Sequence, residues 1–127
     1  MSSTPDPSSH LPLSVPVHQI LLSLADVDRH GYAIIKDIRD RTGGEVSLTA
    51  STLYGALSRL LENGSIEEVA APVAAAPGGD ARRRYYRVTE LGRAVARAEA
   101  ARLARALDQA EARGLGPAAS AADEVAR

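Results

Sequence analysis

The chain has 127 residues, 45% of them hydrophobic and 24% charged, which is enough for one compact domain and too short for two. With no cysteine, it excludes a disulfide scaffold, thiolate metal sites and a cysteine nucleophile. A formal net charge of -1 argues, taken whole, against a polyanion partner, but it hides a gradient: residues 1–81 carry 5 basic and 10 acidic side chains, residues 82–105 carry 8 and 2, and residues 106–127 carry 2 and 4.

Residues 1–13 are rich in Ser and Pro and lack periodicity, which predicts a disordered tail outside the fold. They also lack the basic start and apolar core of a signal peptide, and no run approaches the ~20 apolar residues of a membrane span, so a soluble, cytoplasmic protein is expected. Ser14 caps a first helix with Pro16 in its first turn. Val17, Ile20, Leu21 and Leu24 share one face of it, and it ends near Asp26. Asp28 or His30 starts a second helix, where Ile34, Ile35 and Ile38 stand opposite Lys36, Arg39 and Asp40 until Gly43 and Gly44 stop it.

A third helix has the clearest limits: Thr49 is its N-cap, residues 50–62 follow, and Asn63-Gly64 end it. Leu53, Ala56, Leu57 and Leu60 share its inner face, and Ser51, Gly55, Ser58 and Glu62 the opposite one. Thr52 and Arg59 flank the polar face on one side and Tyr54 on the other. Residues 65–70 and 83–88 then predict two antiparallel strands, anchored by Ile66 and Val69 and by Tyr86 and Val88. Between them, residues 71–81 contain Pro72, Pro77 and Gly78-Gly79, which predicts a flexible tip.

Thr89 caps a long last helix with Glu90 in its first turn, running to Gly114. Leu91, Val95 and Ala98 are placed to pack on the preceding domain. Ala96, Ala100, Leu103, Leu107 and Ala110 repeat in steps of four and three, the spacing of a helix seam, and predict a dimerisation surface. Residues 115–127 read as a flexible tail.

The fold class is therefore mainly α with a small β-hairpin wing: a winged helix-turn-helix over residues 14–88 and a long C-terminal dimerisation helix over residues 89–114. A helix enters the major groove only if its outward face is uncluttered. Here Ser51, Gly55 and Ser58 leave room while Thr52 and Arg59 offer donors. Arg82, Arg83, Arg84 and Arg87 on the second strand would hold the DNA backbone, and Tyr54 would reach a phosphate. Each residue also has a plainer reading. Tyr54 can cover the core edge, Arg59 can pair with Glu62 or Glu68, the serines and Thr52 fit a wet helix surface, and the arginines can protect a strand edge. Tyr32 and Tyr86 are expected in the core. His10, His18 and His30 have no metal-ligand spacing, and no GxSxG or phosphate-binding loop is present, so neither metal, cofactor nor enzymatic activity is expected.

Several of these segments carry a resemblance. Ile20 to Leu24 with Ala25, the run His30-Gly31-Tyr32-Ala33-Ile34, Thr52-Leu53-Tyr54 with Leu57, Arg59 and Leu60, Asn63-Gly64, and Arg84-Tyr85-Tyr86-Arg87 with Thr89-Glu90-Leu91-Gly92 resemble the PadR family of bacterial transcriptional regulators. The likeness covers residues 17–114 and is closest to members with a single C-terminal helix. It implies a homodimeric repressor whose winged domain binds a double-stranded, palindromic DNA operator, with release by a small-molecule effector. Where short members bind flat aromatics at the dimer centre, aromatic side chains do the stacking, and this long helix has none.

Two other functions fit the same plan. One is a winged helix that docks a protein without binding DNA, its acidic N-terminal two-thirds repelling the duplex. The other is a helical dimer that mainly holds a small molecule at the subunit junction.

Overall fold

The computed structural model describes residues 6–73, 75 and 78–118. A short 3-10 turn, Pro7–His10, precedes α1 (Val15–Ser23), β1 (Arg29–His30), α2 (Gly31–Arg41) and α3 (Ala50–Glu62). Then come β2 (Ile66–Val69), the single turn α4 (Gly79–Arg82), β3 (Tyr85–Val88) and α5 (Glu90–Ala112). Local chemistry sets the helix starts. The side chains of Ser14, His30, Thr49 and Thr89 accept the backbone N–H groups of Val17, Ala33, Thr52 and Gly92, each satisfying a donor that the first turn leaves unpaired.

The core is aliphatic. Ile20, Leu21 and Leu24 of α1, Ile34 and Ile38 of α2, Leu53, Ala56, Leu57 and Leu60 of α3, and Val95 of α5 are buried together, with Ile66, Tyr86 and Val88 closing the sheet side. α3 therefore has the expected limits and inner face, and its other side stays outside.

The sheet differs from a two-stranded hairpin. Its order is β1-β3-β2, all antiparallel, with Arg29 opposite Tyr86 and Ile66 opposite Val88. β1 is two residues long and has no periodicity of its own; its pairing with β3 defines it. It covers the edge of β3 that a hairpin would leave open. β3 starts at Tyr85, so Arg83 and Arg84 precede the strand and Arg82 lies in α4. Ala74, Ala76 and Pro77 of the predicted flexible tip lie outside the described residues.

Residues 1–5 and 119–127 of the predicted tails also lie outside the described residues. Residues 6–13, by contrast, belong to the fold. Leu11 and Leu13 pack against the core, and the Leu13 N–H donates to Glu99 Oε1 of α5 at 3.4 Å. The apolar side chains next to Pro12 are anchored by a helix some eighty residues later, which no local periodicity announces.

The start of α5 approaches the backbone closely. A Cβ at Gly92 would overlap the Ser65 carbonyl oxygen, so only glycine lets α5 seat there. Thr89 fastens the same corner, its hydroxyl donating to the Gly64 carbonyl at 2.6 Å while accepting the Gly92 N–H at 3.1 Å.

Candidate nucleic-acid interface

α3 turns Ser51, Thr52, Tyr54, Gly55, Ser58 and Arg59 to solvent. The Thr49 hydroxyl accepts the Thr52 N–H at 3.1 Å and donates to Thr52 Oγ1, also at 3.1 Å. The Thr52 hydroxyl is thus held at the start of α3, next to the small side chains of Ser51 and Gly55.

The two flanks of α3 meet different neighbours. On one side, Tyr54 borders a concavity of about 190 Å³ that it shares with Tyr32, Arg83, Arg84 and Tyr86. On the other, Arg59 borders a cleft beneath residues 10–14 and α1. Among the described residues neither Arg59 nor Arg82 has an ion-pair partner, so the pairing of Arg59 with Glu62 or Glu68 does not form.

The arginines near the wing are not equivalent. Arg82, Arg83 and Arg84 are exposed. The Arg83 guanidinium lies 5.7 Å from the Tyr32 ring centroid, and its Nη1 is 3.4 Å from His30 Nδ1. Arg84 Nε stands 3.8 Å from Glu68 Oε1, a loose surface pair. Arg87 is held by a forked pair, Nε to Asp28 Oδ1 at 3.1 Å and Nη2 to Asp28 Oδ2 at 2.8 Å. That carboxylate raises the Arg87 pKa further and offsets its charge locally. Basic residues of α2 are likewise engaged: Arg41 meets Asp37 at 2.9 Å and Lys36 meets Asp40 at 2.7 Å.

Tyr86 is buried as expected, and burial is the main cause that pushes its hydroxyl above the ordinary pKa and keeps it a donor. Tyr32 is not in the core. It is 64% exposed in the first turn of α2, facing the wing. Sequence patterning missed it because a lone ring beside an apolar helix stripe looks like core, and only the later placement of Arg83 shows otherwise.

Along α5 the predicted seam divides. Ala96 packs against the subunit's own core, and Ala100 borders an apolar groove with Leu21, Leu22 and Ala25 of the α1 region. Leu103 and Leu107 are 44% and 45% exposed. No helix among the described residues is long and apolar enough to cross a membrane, and no group of three His, Cys, Asp or Glu side chains among them converges as a metal site would.

This arrangement agrees with what is found in known proteins. The pattern of the transcriptional regulator PadR-like family matches residues 20–98. The chain belongs to that family. A PadR family transcription regulator from Clostridium difficile superposes with a TM-score of 0.65 at 26% identity, covering 81% of this chain and 100% of that one. Bacillus subtilis PadR, solved in complex with operator DNA, superposes with a TM-score of 0.53 at 24% identity over 65% of this chain and 44% of that one, a likeness of fold. An uncharacterised protein from Lysinibacillus sphaericus is 37% identical over 75 residues, 59% of this chain and 65% of its own length. The chain thus matches just under two thirds of that relative. The PadR-like match begins at Ile20, so it does not include the segment that packs against Glu99.

Proposed function

We propose that this PadR-family chain is a sequence-specific DNA-binding regulator, a homodimeric repressor that sets α3 into the major groove of a pseudo-palindromic operator. One observation carries the reading. The outward side of α3 consists of small and hydroxyl-bearing residues, with no described part of the chain packed over it, and exposed arginines stand at its flank. Ser51, Thr52 and Ser58 face the bases, while Tyr54, Arg59, Arg82, Arg83 and Arg84 hold phosphates. Arg87 contributes through Asp28 by fixing the wing against the β1 approach. That Bacillus subtilis PadR was solved with operator DNA supports the same use of the fold here.

A second copy is supported by the exposed Leu103 and Leu107, which continue the line of Ala100 and end at Ala110. Two-fold symmetry then places two α3 helices on half-sites about 10 bp apart or a multiple of that. Repression, and release by a small-molecule effector, follow from the family resemblance.

The test is duplex binding followed by fluorescence anisotropy across salt concentration, then footprinting on the DNA upstream of the chain's own coding region. Counterion release gives a steep salt dependence even on random duplex. A salt-independent or absent interaction instead favours the protein-docking winged helix. A reporter driven from the footprinted promoter should rise when the gene is deleted; a fall makes the protein an activator.

A further inference from the structure

A long helix that leaves a domain from one fixed corner is a lever. α5 is fastened to the winged domain at Thr89 and Gly92, where the Thr89 hydroxyl donates to the Gly64 carbonyl at 2.6 Å. At Glu99, about 10 Å further along the axis, it is fastened again. Leu11 and Leu13 pack against the core, the Leu13 N–H donates to Glu99 Oε1 at 3.4 Å, and Arg102 holds both oxygens of that carboxylate at 2.8 Å. The segment that makes this contact is itself tied at both ends. The turn Pro7–His10 before it packs on α5, and Ser14 after it caps α1, whose Ile20, Leu21 and Leu24 lie in the core. Pro12 and Leu13 also border a cleft of about 170 Å³ whose walls include Leu60 of α3 and Val95 of α5.

Two points fix the direction of a rod, and one point fixes only its origin. On the α1 side, α5 borders a groove of about 240 Å³ at Ala96, Arg97 and Ala100, which leaves it room to lean. A tilt of about 10° about the Gly92 corner would move the winged domain by about 4 Å relative to Leu107, about 22 Å along the helix, which exceeds the rise of about 3.4 Å per base pair. In a two-fold pair joined at the exposed Leu103 and Leu107, both copies shift, and the separation of the two α3 helices shifts with them. We propose that residues 11–13 set the angle of α5 and thereby the spacing between operator half-sites that the dimer accepts, with Leu13 as the positioning residue. The inference rests on the dimeric, DNA-binding reading. It gives a role to a segment that precedes the family-matched residues 20–98, and it requires no contact between that segment and DNA.

The experiment uses a duplex selected from a random pool, remade with one or two base pairs added to or removed from the spacer between its half-sites. Leu11→Ser with Leu13→Ser loosens the segment without changing charge, Leu13→Ala is a milder cut, and Leu13→Ile keeps both the packing and the N–H. By anisotropy, one added base pair should weaken wild type and Leu13→Ile about tenfold, Leu13→Ala less, and the double variant less than about threefold, with one salt slope for all four. A packing role alone would lower Tm, and affinity on every spacer equally. Because the chain has no cysteine, Glu62→Cys can carry a single spin label on α3. The distribution of label-to-label distances in the DNA-free dimer should broaden by about 4 Å or more when the double variant is introduced.

A spacer penalty equal to that of wild type in both the double variant and Leu13→Ala, or an unchanged distance distribution, overturns the proposal while leaving DNA binding intact. Equal loss of affinity on every spacer does the same. Should the double variant not fold, the two measurements on Leu13→Ala decide alone. Wild-type protein that binds no duplex, or that sediments as a monomer with or without it, overturns the underlying reading instead.

Discussion

Gly31 lies beneath the phenol of Tyr54. A methyl group added at position 31 would meet the Tyr54 hydroxyl oxygen at 2.7 Å and a Leu53 methyl at 3.1 Å. Two residues on different helices are thereby coupled, and the missing side chain of one sets the position of the other's ring. Gly31→Ala should displace the ring tip, which is half exposed and can swing outward, so stability should change by less than about 1 kcal/mol. DNA affinity should fall as far as in Tyr54→Ala, and the double variant should bind no more weakly than either single one. Additive losses measured by anisotropy would separate the two positions.

Gly92 offers the contrasting case. Its neighbour is the Ser65 carbonyl, which is backbone and cannot swing away. Gly92→Ala should therefore push α5 off the sheet corner that Thr89 fastens, at about 1–3 kcal/mol, or a fall in Tm of some 4–8 °C for each kcal/mol. Thermal unfolding followed by circular dichroism checks this, and an unchanged Tm would show that the corner yields freely.

Asp28 holds Arg87 59 positions along the chain, and the pair lies at the surface near the candidate interface. Because the carboxylate offsets the charge of the arginine, Arg87→Ala should flatten the salt slope of DNA binding by less than 1, whereas Arg82→Ala should flatten it by about 1. Asp28→Ala should do the opposite. It removes a repelling charge, releases the guanidinium, and steepens the slope by up to about 1, with a stability loss below about 1 kcal/mol. A shallower slope in Asp28→Ala would mean that the forked pair positions the wing for binding.

Thr52 and Ser58 carry no charge and are exposed on the outward side of α3. Thr52→Ala and Ser58→Ala should change preference among selected duplexes, by about 1–3 kcal/mol at the base pair contacted, and leave random-duplex affinity nearly unaltered. Equal loss on every sequence would move both residues to the phosphate-contacting set.

What the sequence discloses depends on how local the cause is. α3 was legible residue by residue because Thr49, Asn63 and Gly64 are strong end signals and the four buried apolar residues recur at helical spacing. The arginine cluster was legible as charge, but its division was not: Asp28 is remote in sequence from Arg87, and Tyr32 from Arg83. β1 escaped notice because Arg29 and His30 have no pattern without β3 beside them. Glu99 was hidden for a related reason. With Arg102 three positions on, it has the spacing of an ordinary surface pair, yet it is 2% exposed because residues 11–13 lie over it.

That buried carboxylate makes stability depend on pH in a defined direction. Two hydrogen bonds of 2.8 Å from Arg102 are the main reason the Glu99 pKa lies below its ordinary 4.5, and the Leu13 N–H adds to them. Its contribution is therefore intact above about pH 4.5 and lost as pH falls below it. His18 works over a higher window. Burial chiefly depresses its pKa from 6.5, against the pull of Glu99 and with the help of Arg102, so proton uptake favours the unfolded chain once pH drops below that value. Tm measured from about pH 7.5 down to about pH 3 should show both windows. His18→Gln should flatten the decline that begins near 6.5. Glu99→Gln should lower Tm at neutral pH, because Arg102 loses its charged partner, and remove part of the decline below 4.5. Variant curves that run parallel to wild type throughout would show that the contacts holding residues 11–13 on α5 do not respond to protonation at either site.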